Sequence, residues 1–198
     1  MSGSFPTAPK IASINISSLQ PTLISRTISG RKQARQIGGQ LWRMSCNFAP
    51  LTRAQFSPIL AFIISQRGAY DTFTIAPNVH KDTQGVASGS PIVNGASQTG
   101  RTVVTDNWAN SSAVMKAGDF IKFGGHSKVY MVTGDVTSDG SGNASISIEP
   151  ALITSPADNE AVVYNDIPFT VSLDGEIQEF QAGRNGFYTY SMDLIEVF

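Results

Sequence analysis

The chain has one cysteine in 198 residues, no excess of either charge and no apolar run of bilayer length, and each shortage removes a class of function. A single thiol, Cys46, excludes an intramolecular disulfide framework. Fourteen Lys and Arg against fifteen Asp and Glu leave a formal charge of −1, so the chain as a whole generates no field that would gather duplex DNA or an anionic membrane. No segment reaches the roughly 20 apolar residues a spanning helix needs. Met1-Ser2-Gly3-Ser4-Phe5-Pro6 lacks the basic stretch and apolar core of a secretion leader. The expectation is a soluble protein, made and kept in a cytoplasm.

What is abundant is strand and turn chemistry. With 18 Gly, 10 Pro, 41% hydrophobic and only 15% charged residues, the balance favours a folded, mainly β protein over long helices. Gln40 to Phe48 alternates Trp42, Met44, Cys46 and Phe48 with Arg43, Ser45 and Asn47, which is a strand with one buried face. On that face Cys46 reads as a small buried hydrophobe, and burial would raise its pKa and make it unreactive. Residues 10–28 give two further strands broken near Pro21, and 29–39 reads as a charged, glycine-bounded hairpin loop. One helix is expected over about 52–67: Thr52 and Gln55 fit a capping box, Phe56, Ile59, Leu60, Ile63 and Ile64 recur at helical spacing, and Gly68 supplies the stop. Pro58 would also allow a start at Ser57. A strand from Tyr70 to Ala76 follows.

From Asn78 to Asn110 the composition turns to Gly, Ser, Thr, Asn and Gln, with 91–93 and 101–104 as strand candidates. A connection of that length inside one compact domain is unusual, so it is read as the entry to a second unit, 78–165, a small antiparallel barrel or sheet. Its clearest part is Phe120–Phe123, Lys128–Thr133, the turn Asp139-Gly140-Ser141-Gly142-Asn143 and the strand from Ala144 to Glu149. Strands return at Phe169–Leu173, an Asp174-Gly175 hairpin, Glu176–Gln181, a Gly183–Gly186 turn and Phe187–Phe198, and they need the strands of 40–76 as partners. The domain expectation is therefore 1–77 plus 166–198, with 78–165 inserted.

No constellation carries catalysis. Asp135 to Ile146 imitates a calcium loop through its oxygen side chains and Gly140, but Ile146 stands where a bidentate Glu is required, so a plain turn is the better reading. The Gly-Ser-Gly triplet lacks the sequel of a phosphate loop, and His80 and His126 are isolated in turns. Glu149, Asp158 and Glu160 border one loop as solvating charges. No catalytic, cofactor or metal residue is assigned. Two surface contacts are expected: Arg31, Lys32 and Arg35 in the 29–39 connection, facing the next subunit or ring, and Trp108, whose setting Asp106-Asn107-Trp108-Ala109-Asn110 is polar enough to leave it exposed for an interface or a carbohydrate.

The order of Gly118-Asp119 and its strand, the Lys128-Val129-Tyr130 strand, the Asp139–Asn143 turn and the strand ending Glu149-Pro150 resembles the distal tail, or tail (baseplate) hub, family of tailed bacteriophages. A second block carries the same resemblance: Gly38–Met44, Pro50–Phe56, Ala61-Phe62 and Ser65–Gly68. With the C-terminal strands these cover well over half the chain. The resemblance implies a tail-tube-like β-sandwich with one helix, carrying an inserted small antiparallel β-barrel. It further implies a non-enzymatic virion component without cofactor, a ring of six subunits joining the tail tube to the tail tip or fibres. DNA would be only passing cargo in the lumen, and no membrane would be bound. The alternatives are a carbohydrate-binding module of a host-recognition protein, which needs an exposed aromatic platform, and a tail-associated hydrolase, against which the missing acidic or Ser/His/Asp motif counts.

Overall fold

The computed structural model describes residues 3–183 and 185–198. The first strands are β1 (Ser13–Leu19), β2 (Thr22–Arg26), β3 (Lys32–Gln36) and β4 (Leu41–Asn47), followed by the helix α1 (Arg53–Ser65) and β5 (Phe73–Ile75). A 3-10 turn at Asn78–His80 leads to β6 (Gly89–Val93), β7 (Thr102–Trp108), β8 (Ala113–Met115), β9 (Phe120–Phe123) and β10 (Val129–Val132). The chain ends with β11 (Val136–Thr137), β12 (Ala144–Glu149), β13 (Val162–Val163), β14 (Phe169–Leu173), β15 (Phe180–Ala182) and β16 (Tyr188–Glu196). The fold is mainly β with a single α-helix among the described residues, as expected. Two compact units form: a barrel unit from the segment ending at Lys10, Thr72–Val171 and Val197–Phe198, and a helix unit from Ile11–Asp71 and Ser172–Glu196.

In the barrel unit the sheet runs β13-β9-β10-β12-β7-β6. Its two ends meet where Ile92 bridges Ala161, with Val93 N–H donating to Glu160 O and Asn159 N–H to Val93 O, both at 2.9 Å, so the six strands nearly close. Closure leaves few strand edges unpaired. Strict alternation feeds the interior: on β12, Ala144, Ile146 and Ile148 are buried while Ser145 and Ser147 are exposed. Val103, Phe123, Tyr130, Val132 and Ile146 are fully buried in the same cluster. The turn before β12 closes as its chemistry dictates. Asp139 Oδ1 accepts from Ser141 N–H (2.8 Å) and Asn143 N–H (2.9 Å), and Gly142 takes a φ of +81°. A Cβ at Gly142 would stand 2.5 Å from Trp108 O, so only glycine fits.

β8 and β11 form a separate two-stranded pair, an element for which the sequence gives no clear pattern. The expected strand over 70–76 is shorter: only Phe73–Ile75 pairs, with Phe169–Val171 at the start of β14. Phe5 N–H donates to Thr74 O on its other side.

In the helix unit β4 lies between β1 and β16, all antiparallel, with Cys46 opposite Ile14 and Met192, and Met44 opposite Ile16 and Leu194. Trp42, Met44, Cys46, Met192 and Leu194 are buried, so the face read from the alternation of β4 is the inner one. The helix starts at Arg53 with the Thr52/Gln55 capping box formed, Gln55 Oε1 accepting from Thr52 N–H at 3.0 Å. Pro58 therefore sits inside the helix rather than in its first turn, and the cap holds the start against the amide that proline lacks. Phe56, Ile59 and Ile63 are buried, each worth about 1.5–3 kcal/mol relative to exposure. Phe56 stacks on Tyr188 at a centroid distance of 5.0 Å and meets Phe180 at 5.3 Å. Ile64, expected on the packed face, is exposed.

Of the two C-terminal turns, one departs from its expectation. Asp174-Gly175 does not join a tight hairpin, because β14 pairs with β5 and β15 pairs with β16. The Gly183–Gly186 turn does connect β15 to β16, with Gly186 N–H donating to Gly183 O at 3.0 Å, although Arg184 within it lies outside the described residues.

Candidate functional site

Arg31, Lys32 and Arg35 do not lie in a long loop. Lys32 and Arg35 are on β3, which pairs with β2 in a two-stranded ribbon, and only 27–31 turns the chain. The turn is short because Gly30 N–H donates to Thr27 O (2.9 Å) with a φ of +80° at Gly30, while Thr27 N–H donates to Arg31 O at 3.0 Å. The strand expected after Pro21, within 10–28, buries nothing. Every residue of β2 and β3 is exposed, including Leu23 and Ile24, and Ile28 at the tip and Ile37 at the base are exposed too.

Register decides what each face of the ribbon offers. Ile24 faces Ala34 and Arg26 faces Lys32, on one side; Leu23 faces Arg35 on the other. Like charges directly opposed are destabilising, and a two-stranded ribbon is marginal by itself. Both sides thus mix bare apolar groups with unmatched positive charge. Arg26 belongs with the expected three basic residues, and it was findable: no Asp or Glu precedes Asp71 in the sequence.

The helix unit also carries an acidic and aromatic stretch, 174–181. Asp174 is bound by Arg43 at 2.5 Å, whereas Glu176 and Glu179 are exposed beside exposed Ile177 and Phe180. Glu179, Phe180 and Gln181 line a groove of about 570 Å³ with Phe48 and Tyr190, and Glu179 with Ile177 and Asp193 lines a second of about 290 Å³. Neither groove brings together a nucleophile, a base and an orienting group.

Trp108, expected to be exposed, is buried, which removes the aromatic platform a carbohydrate would stack on. Its Nε1–H donates to Thr105 Oγ1 at 2.8 Å, and its ring lies 5.4 Å from that of Tyr164. Polar neighbours conceal a strand: β7 continues to Trp108, and a register irregularity opposite β6, with a positive φ of 63° at Asn107, shifts the inward parity from 103 and 105 to 108.

The titratable groups serve structure. Burial pushes the Cys46 thiol up to about 12, with the Asp193 carboxylate adding to the shift. Burial likewise raises Tyr190 to about 12. Asp139 is held below its ordinary value by the Asn143 side chain and the turn amides, and Asp135 by Lys116 and Ala117 N–H. Glu160 accepts from Gly125 N–H and Ala157 N–H at 2.7 and 2.8 Å, with His126 Nε2 3.7 Å away. Carboxylates engaged on backbone amides hold turns. Among the described residues no group of three His, Cys, Asp or Glu is placed to hold a metal.

Residues 79–167 match the family model described as "Distal tail protein pb9, B domain", a segment lying within 72–171 of the barrel unit. Over 185 residues the chain is 24% identical to "Distal tail protein pb9" of Escherichia phage T5, covering 89% of this chain and 86% of that protein. Together they support the resemblance to the phage distal tail family, the family model covering the block at 118–150.

Proposed function

From its relationship to tailed-phage distal tail proteins, we propose that this chain is a structural, non-enzymatic component of a virion tail, assembled in the host cytoplasm. It forms a ring of six copies between the tail tube and the tail tip or fibres, with the central opening left for passing DNA. In this reading residues 1–77 and 166–198 supply the ring-forming sheet and helix of a tail-hub sandwich, and 78–165 is an inserted barrel that faces outward to neighbouring tail proteins. Ring closure suits a β-rich subunit because closed cyclic assembly covers edges that would otherwise recruit strands indiscriminately.

The observation that carries this reading is the β2–β3 ribbon. A folded domain gains nothing by holding Leu23, Ile24 and Ile28 in water on a two-stranded element, unless another surface covers them. Arg31, Lys32 and Arg35 are then contact residues to a neighbouring subunit. No helix among the described residues is long and apolar enough to cross a membrane.

Negative-stain electron microscopy of the purified protein across a concentration series tests the reading. Closed particles of uniform symmetry with a central hole are expected. Single small particles at every concentration, together with their absence from purified virions, would overturn it.

A further inference from the structure

We infer that the β2–β3 ribbon of one copy docks on the 174–181 stretch of the next copy, so that the ring closes through one basic, apolar projection and one acidic, apolar groove on every subunit. The inference rests on the ring reading above and specifies its contact. A head-to-tail interface needs two different surfaces on the same chain, complementary to each other rather than to themselves. Both are present in the helix unit.

Charge is sorted along the chain to an extent that the formal total of −1 conceals. No acidic residue precedes Asp71, and no Lys or Arg stands between Lys128 and Arg184. The ribbon therefore carries Arg26, Arg31, Lys32 and Arg35 with no counter-charge of its own, and 174–181 carries Asp174, Glu176 and Glu179 without a cation. Arg43 occupies Asp174, leaving Glu176 and Glu179 exposed for a partner.

The apolar parts also match. Ile24 and Ile28 on the ribbon need a covered site; Ile177 borders an open groove of about 290 Å³ with Asp174, Glu179 and Asp193, and Phe180 one of about 570 Å³ with Phe48, Tyr190 and Glu179. At about 3.4 Å per residue, strands of five residues reach roughly 17 Å, enough to extend into a neighbour. β15 has one strand neighbour, β16, and so keeps an edge on which the ribbon could add main-chain bonds. Duplex DNA is a poorer occupant, since it would match the guanidinium and ammonium groups but leave Leu23, Ile24 and Ile28 uncovered.

Two charge-reversed proteins test this directly: Arg31→Glu/Lys32→Glu/Arg35→Glu on the ribbon, and Glu176→Lys/Glu179→Lys on the groove, each checked for an unchanged thermal midpoint. By sedimentation and native mass spectrometry each variant alone should require at least a tenfold higher concentration to associate than the natural chain. Mixed one to one they should assemble again, because each reversed surface then meets a reversed partner. If either variant assembles as the natural chain does, the ribbon–groove contact is wrong and the ring reading stands. If the natural chain and the mixture both stay monomeric throughout, the contact and self-assembly fall together.

Discussion

The barrel unit and the β2–β3 ribbon are written in the same strand alphabet, yet one buries its apolar residues and the other exposes them. On β12 every second residue is inside, and Ile146 has no exposure at all. On β2, Leu23 is 61% and Ile24 52% exposed. What separates them is the number of neighbours: β12 has β10 and β7 on its two sides, while β2 has β3 alone. Apolar residues on a strand are buried only where flanking strands supply the cover, and with β3 as its one neighbour β2 leaves its own in water.

Four experiments break or sharpen this contrast. The largest effect is expected for Phe123→Ala, which empties a fully buried position of the barrel and should cost about 3–5 kcal/mol in urea unfolding. Next, Gly142→Ala should cost about 2 kcal/mol by calorimetry through its positive φ and the clash with Trp108 O, whereas Gly140→Ala, with nothing near its Cβ, should be close to neutral. A smaller effect is expected at Asp139. Its folded pKa is depressed, so its stabilisation is present above its ordinary value and is lost as pH falls through the folded value. The acid limb of the unfolding curve should therefore shrink in Asp139→Asn. The least effect on folding is expected for Ile24→Ser, within about 0.5 kcal/mol of the natural chain, while assembly measured by sedimentation should weaken. A large loss of stability in Ile24→Ser would erase the contrast, since the ribbon would then be part of a core.

Much of the framework could be read before any coordinates. Thr52 and Gln55 name the helix start, Trp42, Met44 and Cys46 name an inner face, and Asp139 to Asn143 name a turn, because each rests on interactions within a few residues. Trp108 was misread because its burial depends on a shift of parity at Asn107 and on the facing strand β6, neither of which its polar neighbours announce. Asp174-Gly175 has the right residues for a tight hairpin but the wrong partners, since β14 lies beside β5. The candidate surface was legible in part. Its charges were visible in the sequence, but the exposure of Leu23 and Ile24 follows from how few strands surround them.

The cross-strand facing of Arg26 and Lys32 has a consequence for how copies first meet. Two ribbons approaching each other would bring four or more positive charges together, so symmetric back-to-back dimers are disfavoured from the outset. On the proposed ribbon–groove contact, the exposed Ile24 and Ile28 would be left for a surface of opposite sign.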